Sequence, residues 1–223
     1  MIVTIDGPAG SGKSTLARNL ARRLGWTYLD TGAMYRVVAL RVQEERLDPS
    51  QTNAASELAR TARIGFEWSD KELKVLLNDR DVTGLVRTEA VSVLASKVSA
   101  IPEVRSAMVE KQRELGRRYP NVVTEGRDQG SVVFPDAELK VYLDADVRER
   151  ARRRFDQLHE LGQPADFSAI LAALKERDER DRTRSASPLV VPNDAVVIDT
   201  TNLTAEQVMD RIVQLIESQR KKR

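Results

Sequence analysis

The sequence contains no cysteine and one histidine, His159, among its 223 residues. Without cysteine there is no disulfide framework, no thiolate zinc site and no thiol nucleophile. A lone histidine in a charged helical stretch is more typical of a surface residue than of a metal ligand, so hydrolysis by a serine–histidine–aspartate triad is not expected. Aromatic residues make up only 4% of the chain, and no apolar run approaches the roughly 20 residues of a membrane span.

The chain also has little net charge, because its 36 basic residues are nearly balanced by 34 acidic ones. A nucleic-acid-binding ATPase would show a basic stripe with interleaved aromatics, and neither is present. Arginine supplies 27 of the basic residues, and its planar group suits bidentate recognition of phosphate. The first strand-like run starts directly after Met1 and leaves no room for a signal peptide, so we expect a cytoplasmic enzyme that contacts neither nucleic acid nor membrane.

Apolar runs typical of buried strands alternate with segments of helical spacing. The runs are Ile2–Asp6, Trp26–Leu29, Val122–Thr124, Leu139–Leu143 and Ala195–Ile198. Helical spacing follows the first run from Ser14 to Leu24, and the last helix begins near Thr204 with Gln207 completing a capping box. This alternation predicts an α/β fold with a mostly parallel sheet covered by helices on both faces. Such sheets bind ligands beyond the carboxyl ends of their strands.

Two segments break this rhythm. Residues 64–86 contain short alternating strands, joined at the turn-like pairs Ser69-Asp70 and Asn78-Asp79, which predicts a small inserted antiparallel lobe. Residues 148–184 are helical and dense in charge. Of the five arginines that open this second segment, one or two are expected to contact the nucleotide and the rest to be solvated.

The strongest motif follows the first strand. The segment Gly7–Ser14 fits the pattern G-x-x-x-x-G-K-[ST], with an apolar strand before it and a periodic helix after it. Its glycines let successive backbone N–H groups point at phosphate oxygens, and the helix dipole adds positive charge. Lys13 would span the β- and γ-phosphates, and the Ser14 hydroxyl would be offered to Mg²⁺. The sequence therefore predicts a nucleoside triphosphate site.

Two further observations bear on the reaction that uses this nucleotide. The guanine-specific Asn/Thr-Lys-x-Asp motif of switch GTPases is missing from the sequence. The apolar run Val122–Thr124 leads into Glu125-Gly126-Arg127-Asp128, which puts an arginine and a carboxylate where an acceptor would sit. A kinase for a small acceptor fits this arrangement better than a motor ATPase.

The sequence resembles the bacterial cytidylate kinases over nearly its whole length. The blocks that carry the resemblance are Ile5–Lys13, Leu29–Arg36, Glu125–Asp128, Val133–Asp136 and Glu176–Arg182. The resemblance implies a five-stranded parallel sheet of the nucleoside monophosphate kinase type, with an antiparallel insertion and a helical lid. It divides the chain into a core of residues 1–57, 98–147 and 186–223, an acceptor-side lobe at about 58–97 and a lid at about 148–185.

The resemblance also implies a role for particular residues. ATP would be held by Gly7, Pro8, Ala9, Gly10, Ser11, Gly12, Lys13, Ser14 and Thr15, with Ser14 on Mg²⁺. The substrates CMP and dCMP would be held by Thr31, Tyr35, Arg36, Ser96, Arg105, Arg127, Asp128, Asp181 and Arg184. Catalysis would fall to Lys13, Arg127, Arg177 and Arg180. The implied reaction is transfer of the γ-phosphoryl group of ATP by a monomeric enzyme, and UMP remains the nearest alternative acceptor.

Overall fold

In the computed structural model the described residues are 1–48, 51–68 and 73–221. The strands are β1 (Ile2–Asp6), β2 (Thr27–Asp30), β3 (Ile64–Trp68), β4 (Leu73–Leu77), β5 (Arg80–Asp81), β6 (Val122–Gly126), β7 (Leu139–Asp144) and β8 (Val196–Asp199). The helices are α1 (Lys13–Leu24), α2 (Thr31–Glu44), α3 (Thr52–Thr61), α4 (Glu89–Val98), α5 (Pro102–Arg117), α6 (Val147–Glu160), α7 (Phe167–Thr183) and α8 (Ala205–Lys221). In this part of the chain no helix is both long and apolar enough to cross a membrane.

The chain divides into two compact units. The first contains residues 1–29 and 115–223, and the second contains Asp30–Glu114. The first unit is therefore discontinuous in sequence, with the second inserted between β2 and the last turn of α5.

The first unit is built on a five-stranded sheet in the order β2-β6-β1-β7-β8. β1 pairs in parallel with β6 on one side and with β7 on the other, and β7 pairs in parallel with β8. Both faces of the central strand β1 are covered, because Val3 and Ile5 are buried on one face and Thr4 and Asp6 on the other. The predicted α/β fold with a parallel sheet is confirmed, and β1, β6 and β7 end at the edge that carries the phosphate loop.

The second unit contains the predicted inserted sheet. β3 pairs antiparallel with β4, and β4 pairs antiparallel with β5. Alternation along β4 buries Leu73, Val75 and Leu77 on one face, as the period-2 pattern predicts. Asn78 and Asp79 take positive φ values of 49° and 68° in the turn that follows β4, as predicted. The other predicted turn, Ser69-Asp70, lies outside the described residues.

Candidate functional site

The loop between β1 and α1 wraps tightly because two glycines allow it. A Cβ on Gly7 would lie 2.1 Å from the Leu143 carbonyl oxygen at the end of β7, so no larger residue fits there. Gly12, at the N-cap of α1, has a φ of 88°, and a Cβ there would meet no atom within 4 Å. Gly12 thus leads directly into the first turn of α1, where backbone N–H groups and the helix dipole favour an anion.

Lys13 is buried within the same loop. Its Nζ donates hydrogen bonds to the Pro8 carbonyl oxygen at 2.6 Å and to the Ser11 hydroxyl at 3.3 Å. Burial holds the pKa of Lys13 well below its usual range, and the nearby guanidiniums of Arg127 and Arg177 lower that pKa further. Several cations thus converge near one point, and a polyphosphate bound there would relieve their repulsion.

Ser14 and Glu125 bring oxygen groups together beside Lys13. The Ser14 hydroxyl donates to Glu125 Oε1 at 2.9 Å, and the Tyr28 hydroxyl donates to the same oxygen at 3.4 Å. Glu125 is buried at the end of β6, the neighbour of β1. A hydroxyl and a carboxylate next to a phosphate cradle are the hard oxygen donors that Mg²⁺ prefers, so these residues fit that ion. The sequence prediction gave Glu125 no role, although its position after an apolar run was an available signal.

Arg127 and Arg184 share one buried carboxylate. Arg127 Nε donates to Asp181 Oδ2 at 2.7 Å, and Arg184 Nη1 lies 3.4 Å from Asp181 Oδ1. Burial alone would raise the pKa of Asp181, but the guanidiniums of Arg127, Arg177 and Arg184 outweigh it and lower that pKa. The same pairing raises the pKa of Arg127 in spite of its burial. Three of the residues that the sequence assigns to the acceptor are therefore in contact with one another.

Asp128 lies next to an irregular turn that a second carboxylate holds. Residues Gln129–Val133 form a π-helical turn directly after Asp128. The two oxygens of Asp6 accept hydrogen bonds from the backbone N–H groups of Gln129 at 2.8 Å and Gly130 at 2.7 Å. Asp128 itself is buried and close enough to help raise the pKa of Asp6. The sequence prediction missed Asp6, since its partners lie more than 120 residues away along the chain.

The remaining sequence-predicted residues of the first unit lie on α7. Arg177 acts electrostatically on both Lys13 and Asp181, which places it near the phosphate loop. Arg180 pairs with Glu176 one turn earlier on the same helix, and Glu176 is exposed.

Arg150 is not solvated, and the sequence prediction, which reserved one or two of the five arginines at the start of the charged segment for the nucleotide, did not single it out. It is buried in α6 and forms an ion pair with Asp178 of α7 at 2.7 Å. Arg148 and Arg152 are exposed, as predicted. The sequence offered no signal that separates Arg150 from its arginine neighbours, because its burial depends on a partner in another helix.

The second unit places five further sequence-predicted residues on its helices. Thr31 is the first residue of α2, where Asp30 caps the helix by accepting the Ala33 N–H at 2.9 Å. Arg36, also on α2, donates to the Val86 carbonyl oxygen at 3.1 Å and to the Ser92 hydroxyl at 2.6 Å.

The other members of that set are Tyr35, Ser96 and Arg105. The Arg105 guanidinium lies 5.2 Å from the centre of the Tyr35 ring, within cation–π range, and its Nη1 donates to the Ser99 carbonyl oxygen at 3.1 Å. Ser96 and Arg105 are both buried. Burial is unusual for an arginine, because arginine side chains on helix surfaces are mostly exposed to solvent.

The comparisons with known proteins agree with this chemistry. The family model described as cytidylate kinase matches residues 3–218. A curated cytidylate kinase of Klebsiella pneumoniae (strain 342) is 46% identical over 213 residues, covering 96% of this chain and 93% of the relative. One from Aeromonas salmonicida (strain A449) is 42% identical over 218 residues, covering 98% and 94%.

Among solved structures, an uncharacterized protein from Eubacterium ventriosum ATCC 27560 matches with a TM-score of 0.50 at 12% identity, covering 98% of this chain and 99% of that one. At that identity the likeness concerns the fold alone. The family model and the curated relatives span nearly the whole chain. The chain belongs to the cytidylate kinase family.

Proposed function

We propose that this protein transfers the γ-phosphoryl group of ATP to CMP and dCMP, giving ADP with CDP or dCDP. The observation that carries the proposal is the arrangement at the carboxyl ends of β1 and β6. There the phosphate loop with Lys13 lies beside Arg127, which is held by Asp181 together with Arg184. The reading of the acceptor as CMP rests on the family to which the chain belongs.

The donor end uses the phosphate loop. Residues Gly7–Thr15 would surround the phosphates, and Lys13 would stabilise negative charge that develops on the moving phosphoryl group. Mg²⁺ would be held by the Ser14 hydroxyl together with phosphate oxygens, with Glu125 as the nearest carboxylate. When bound, Mg²⁺ neutralises phosphate charge at this position.

The acceptor end needs charge neutralisation more than proton transfer. The second phosphate pKa of a nucleoside monophosphate is near 6, so its attacking oxygen is already largely ionised at neutral pH. Arg36, Arg127 and Arg184 would bind this dianion, because guanidinium groups pair with phosphate in a bidentate way. Donor and acceptor phosphates repel each other, and these cations offset that repulsion.

The base would be read by Ser96, Arg105 and Asp128, with the sugar contacting Asp181. The Watson–Crick edge of cytosine has one amine donor and two acceptors, so a carboxylate with guanidinium and hydroxyl donors complements it. Burial supports this role, because Asp128, Ser96 and Arg105 are all buried polar side chains. Thr31 and Tyr35 belong to the same proposed acceptor set.

The charged segment at about 148–185 is proposed to act as a lid, in which Arg177 and Arg180 neutralise charge on the transferred group. Arg177 is the better supported of the two, since it already acts on Lys13. A closed lid would exclude water and so limit wasteful ATP hydrolysis. We also propose that the enzyme is cytoplasmic and monomeric, and light scattering after size-exclusion chromatography tests the second point.

A steady-state assay with ATP and Mg²⁺ across CMP, dCMP, UMP and AMP tests the function. We expect the highest kcat/KM with CMP or dCMP, with UMP and AMP at least tenfold lower. A preference for UMP or AMP would overturn the choice of acceptor. No transfer to any of the four, with ATP binding intact, would overturn nucleoside monophosphate kinase activity altogether.

A further inference from the structure

The most deeply buried side chains of helix α7 are carboxylates. Of its residues, all of which the structure describes, Asp178 and Asp181 alone are buried. They lie three residues apart and therefore on one face of the helix. Asp181 belongs to the acceptor cluster described above. Asp178 has no part in the proposed chemistry, and its surroundings suggest a separate task.

Asp178 and Arg150 bind the backbone N–H and C=O groups of one residue of the phosphate loop, Ala9. Asp178 Oδ1 accepts the Ala9 backbone N–H at 3.2 Å, and Arg150 Nη1 donates to the Ala9 carbonyl oxygen at 2.7 Å. The ion pair between Arg150 Nη1 and Asp178 Oδ2, also 2.7 Å, closes the ring. Ala9, Arg150 and Asp178 are each no more than 4% exposed. Both polar groups of Ala9 are thus committed to charged partners.

Two further contacts fix the position of the Arg150 side chain. Its Nε donates to the Ala145 carbonyl oxygen just beyond β7, at 3.0 Å. On its other side, a Cβ built on Gly10 would lie 3.4 Å from Arg150 Cβ, so the stem of Arg150 passes close to the loop backbone. The end of β7, helices α6 and α7, and the phosphate loop therefore meet at this ion pair.

Such a contact matters because the loop is rich in glycine and its binding groups are backbone N–H groups. A flexible loop would have to be ordered each time a nucleotide binds, whereas a loop already held in shape avoids that cost. A buried ion pair is seldom the most stabilising choice for a core, since apolar side chains of similar size often do as well or better. The hydrogen bonds to Ala9 point to a role in shaping the loop.

We propose that Arg150 and Asp178 are positioning residues for the donor nucleotide. They hold the backbone on both sides of Ala9 so that the next N–H groups of the loop, from Gly10 to Ser14, face the phosphates. The same contacts anchor α6 at Arg150 and α7 at Asp178 to the loop. Any lid movement therefore involves the residues between these two anchors. This inference concerns the donor alone and does not depend on the identity of the acceptor.

A double-mutant cycle on binding tests the proposal. The variants are Arg150→Met, Asp178→Asn and the double variant, and the measurement is the Kd of a non-hydrolysable ATP analogue with Mg²⁺, by calorimetry without acceptor. We expect each single variant to raise Kd about tenfold. The double variant should have a Kd no higher than that of the single variant with the higher Kd, because the same interaction is broken in all three variants. In turnover assays the KM for ATP should rise similarly, while the KM for the acceptor changes less than twofold.

The matched control is the pair Lys140 and Asp194. Lys140 is a buried cation on β7, and its Nζ donates to both oxygens of Asp194 at 3.0 and 2.8 Å, so the pair includes no residue of the phosphate loop. Lys140→Met and Asp194→Asn should lower Tm without changing the Kd of the ATP analogue.

Two results would overturn the proposal. One is a fall in Tm for the Arg150 and Asp178 variants with an unchanged Kd, which would make the pair a structural contact. The other is equal weakening of donor and acceptor binding, which would indicate general disruption. If Arg150→Met does not fold, Asp178→Asn decides alone, since Asn keeps the size of Asp but loses the charge and exchanges one acceptor oxygen for an NH2 donor. Failure of the CMP assay would leave the ATP-analogue readout intact, so the two hypotheses fail separately.

Discussion

Asp6 is a buried carboxylate that links the first strand to the turn after Asp128. Burial, together with the nearby Asp128, raises the pKa of Asp6 to about 7, although the N–H groups of Gly130 and Gln129 and the charge of Lys13 act in the opposite direction. In the unfolded chain the Asp6 pKa returns to its ordinary value of 3.8. The folded state therefore binds this proton more tightly than the unfolded state does.

This difference predicts how the free energy of unfolding depends on pH. Because the unfolded state loses the proton first, the Asp6 contribution decreases as pH rises from about 4 to about 7 and is constant above that. Between pH 5 and pH 8 the decrease should be on the order of 2 kcal/mol. In Asp6→Asn this part of the pH dependence should vanish, as measured by urea unfolding at both pH values.

The control for this prediction is Asp136→Asn, which changes an exposed carboxylate. It should keep the pH dependence of the unchanged protein. An Asp6→Asn variant with the same pH dependence as the unchanged protein would show that Asp6 titrates normally.

Asp128 carries the prediction about base recognition. In Asp128→Asn the carboxylate that would accept the cytosine amine is replaced by an amide, and a poorly paired buried donor costs on the order of 1–3 kcal/mol. We expect kcat/KM for CMP to fall roughly tenfold to a hundredfold, with UMP losing less, since its base has no such amine. Equal losses for the two acceptors would show that Asp128 does not read the base.

Sequence reasoning performed unevenly at the residue scale, for a physical reason. Lys13 and Ser14 were assigned because the loop pattern is local and its glycines have one geometric purpose. Asp6, Arg150 and Asp178 gave no such signal. Asp178 and Ala9 are 169 residues apart along the chain, so no local sequence pattern predicts their contact.

At the scale of elements, the strands and helices near the site were predicted because hydrophobic periodicity is a local property. β1, β6, β7 and β8 lie within a residue or two of their predicted bounds at most ends. The turn at Gln129–Val133 was not predicted. Its π-helical form depends on Asp6 accepting two consecutive N–H groups, and that interaction is tertiary.

Helix α5 contains a glycine that intrinsic propensity does not favour. Gly116 lies in the last turn of α5, where alanine would be the better helix former. A Cβ on Gly116 would lie 2.6 Å from Cζ and 2.8 Å from Cε1 of the Phe134 ring, which is buried. The glycine therefore permits a close approach of α5 to the residue that follows the π-helical turn.

We predict that Gly116→Ala destabilises the protein by about 1–3 kcal/mol, because the ring of Phe134 has to shift within a packed core. Urea unfolding measures the change, and Gly116→Ala combined with Phe134→Leu should recover part of it. The matched control is Gly84→Ala, where a Cβ would meet no atom within 4 Å and φ is −69°. That variant should be neutral or slightly stabilising. A neutral Gly116→Ala would show that the ring moves aside freely.

At the scale of the whole molecule, the division into two units was not visible in the sequence. Compactness depends on contacts across the whole chain, so the discontinuous first unit, residues 1–29 and 115–223, leaves no local mark. The predicted lobe at about 58–97 and lid at about 148–185 remain predictions about finer divisions. What the two units do provide is a way to test the donor and acceptor assignments separately.

The donor residues all belong to the first unit, whereas the residues proposed for CMP come from both. Hydrogen exchange measured by mass spectrometry should therefore distinguish the two ligands. A non-hydrolysable ATP analogue with Mg²⁺ should slow exchange at residues 7–15 and leave residues 31–114 nearly unchanged. CMP alone should slow exchange beside Arg36 and Arg105 in the second unit and near Arg127 in the first, because a ligand stabilises the segments that it contacts.

An Arg36→Ala variant serves as control and should weaken the CMP effect without altering the effect of the ATP analogue. If CMP protected the first unit alone, Arg36, Ser96 and Arg105 would not be acceptor residues, and the base would have to be read by Asp128 and its neighbours.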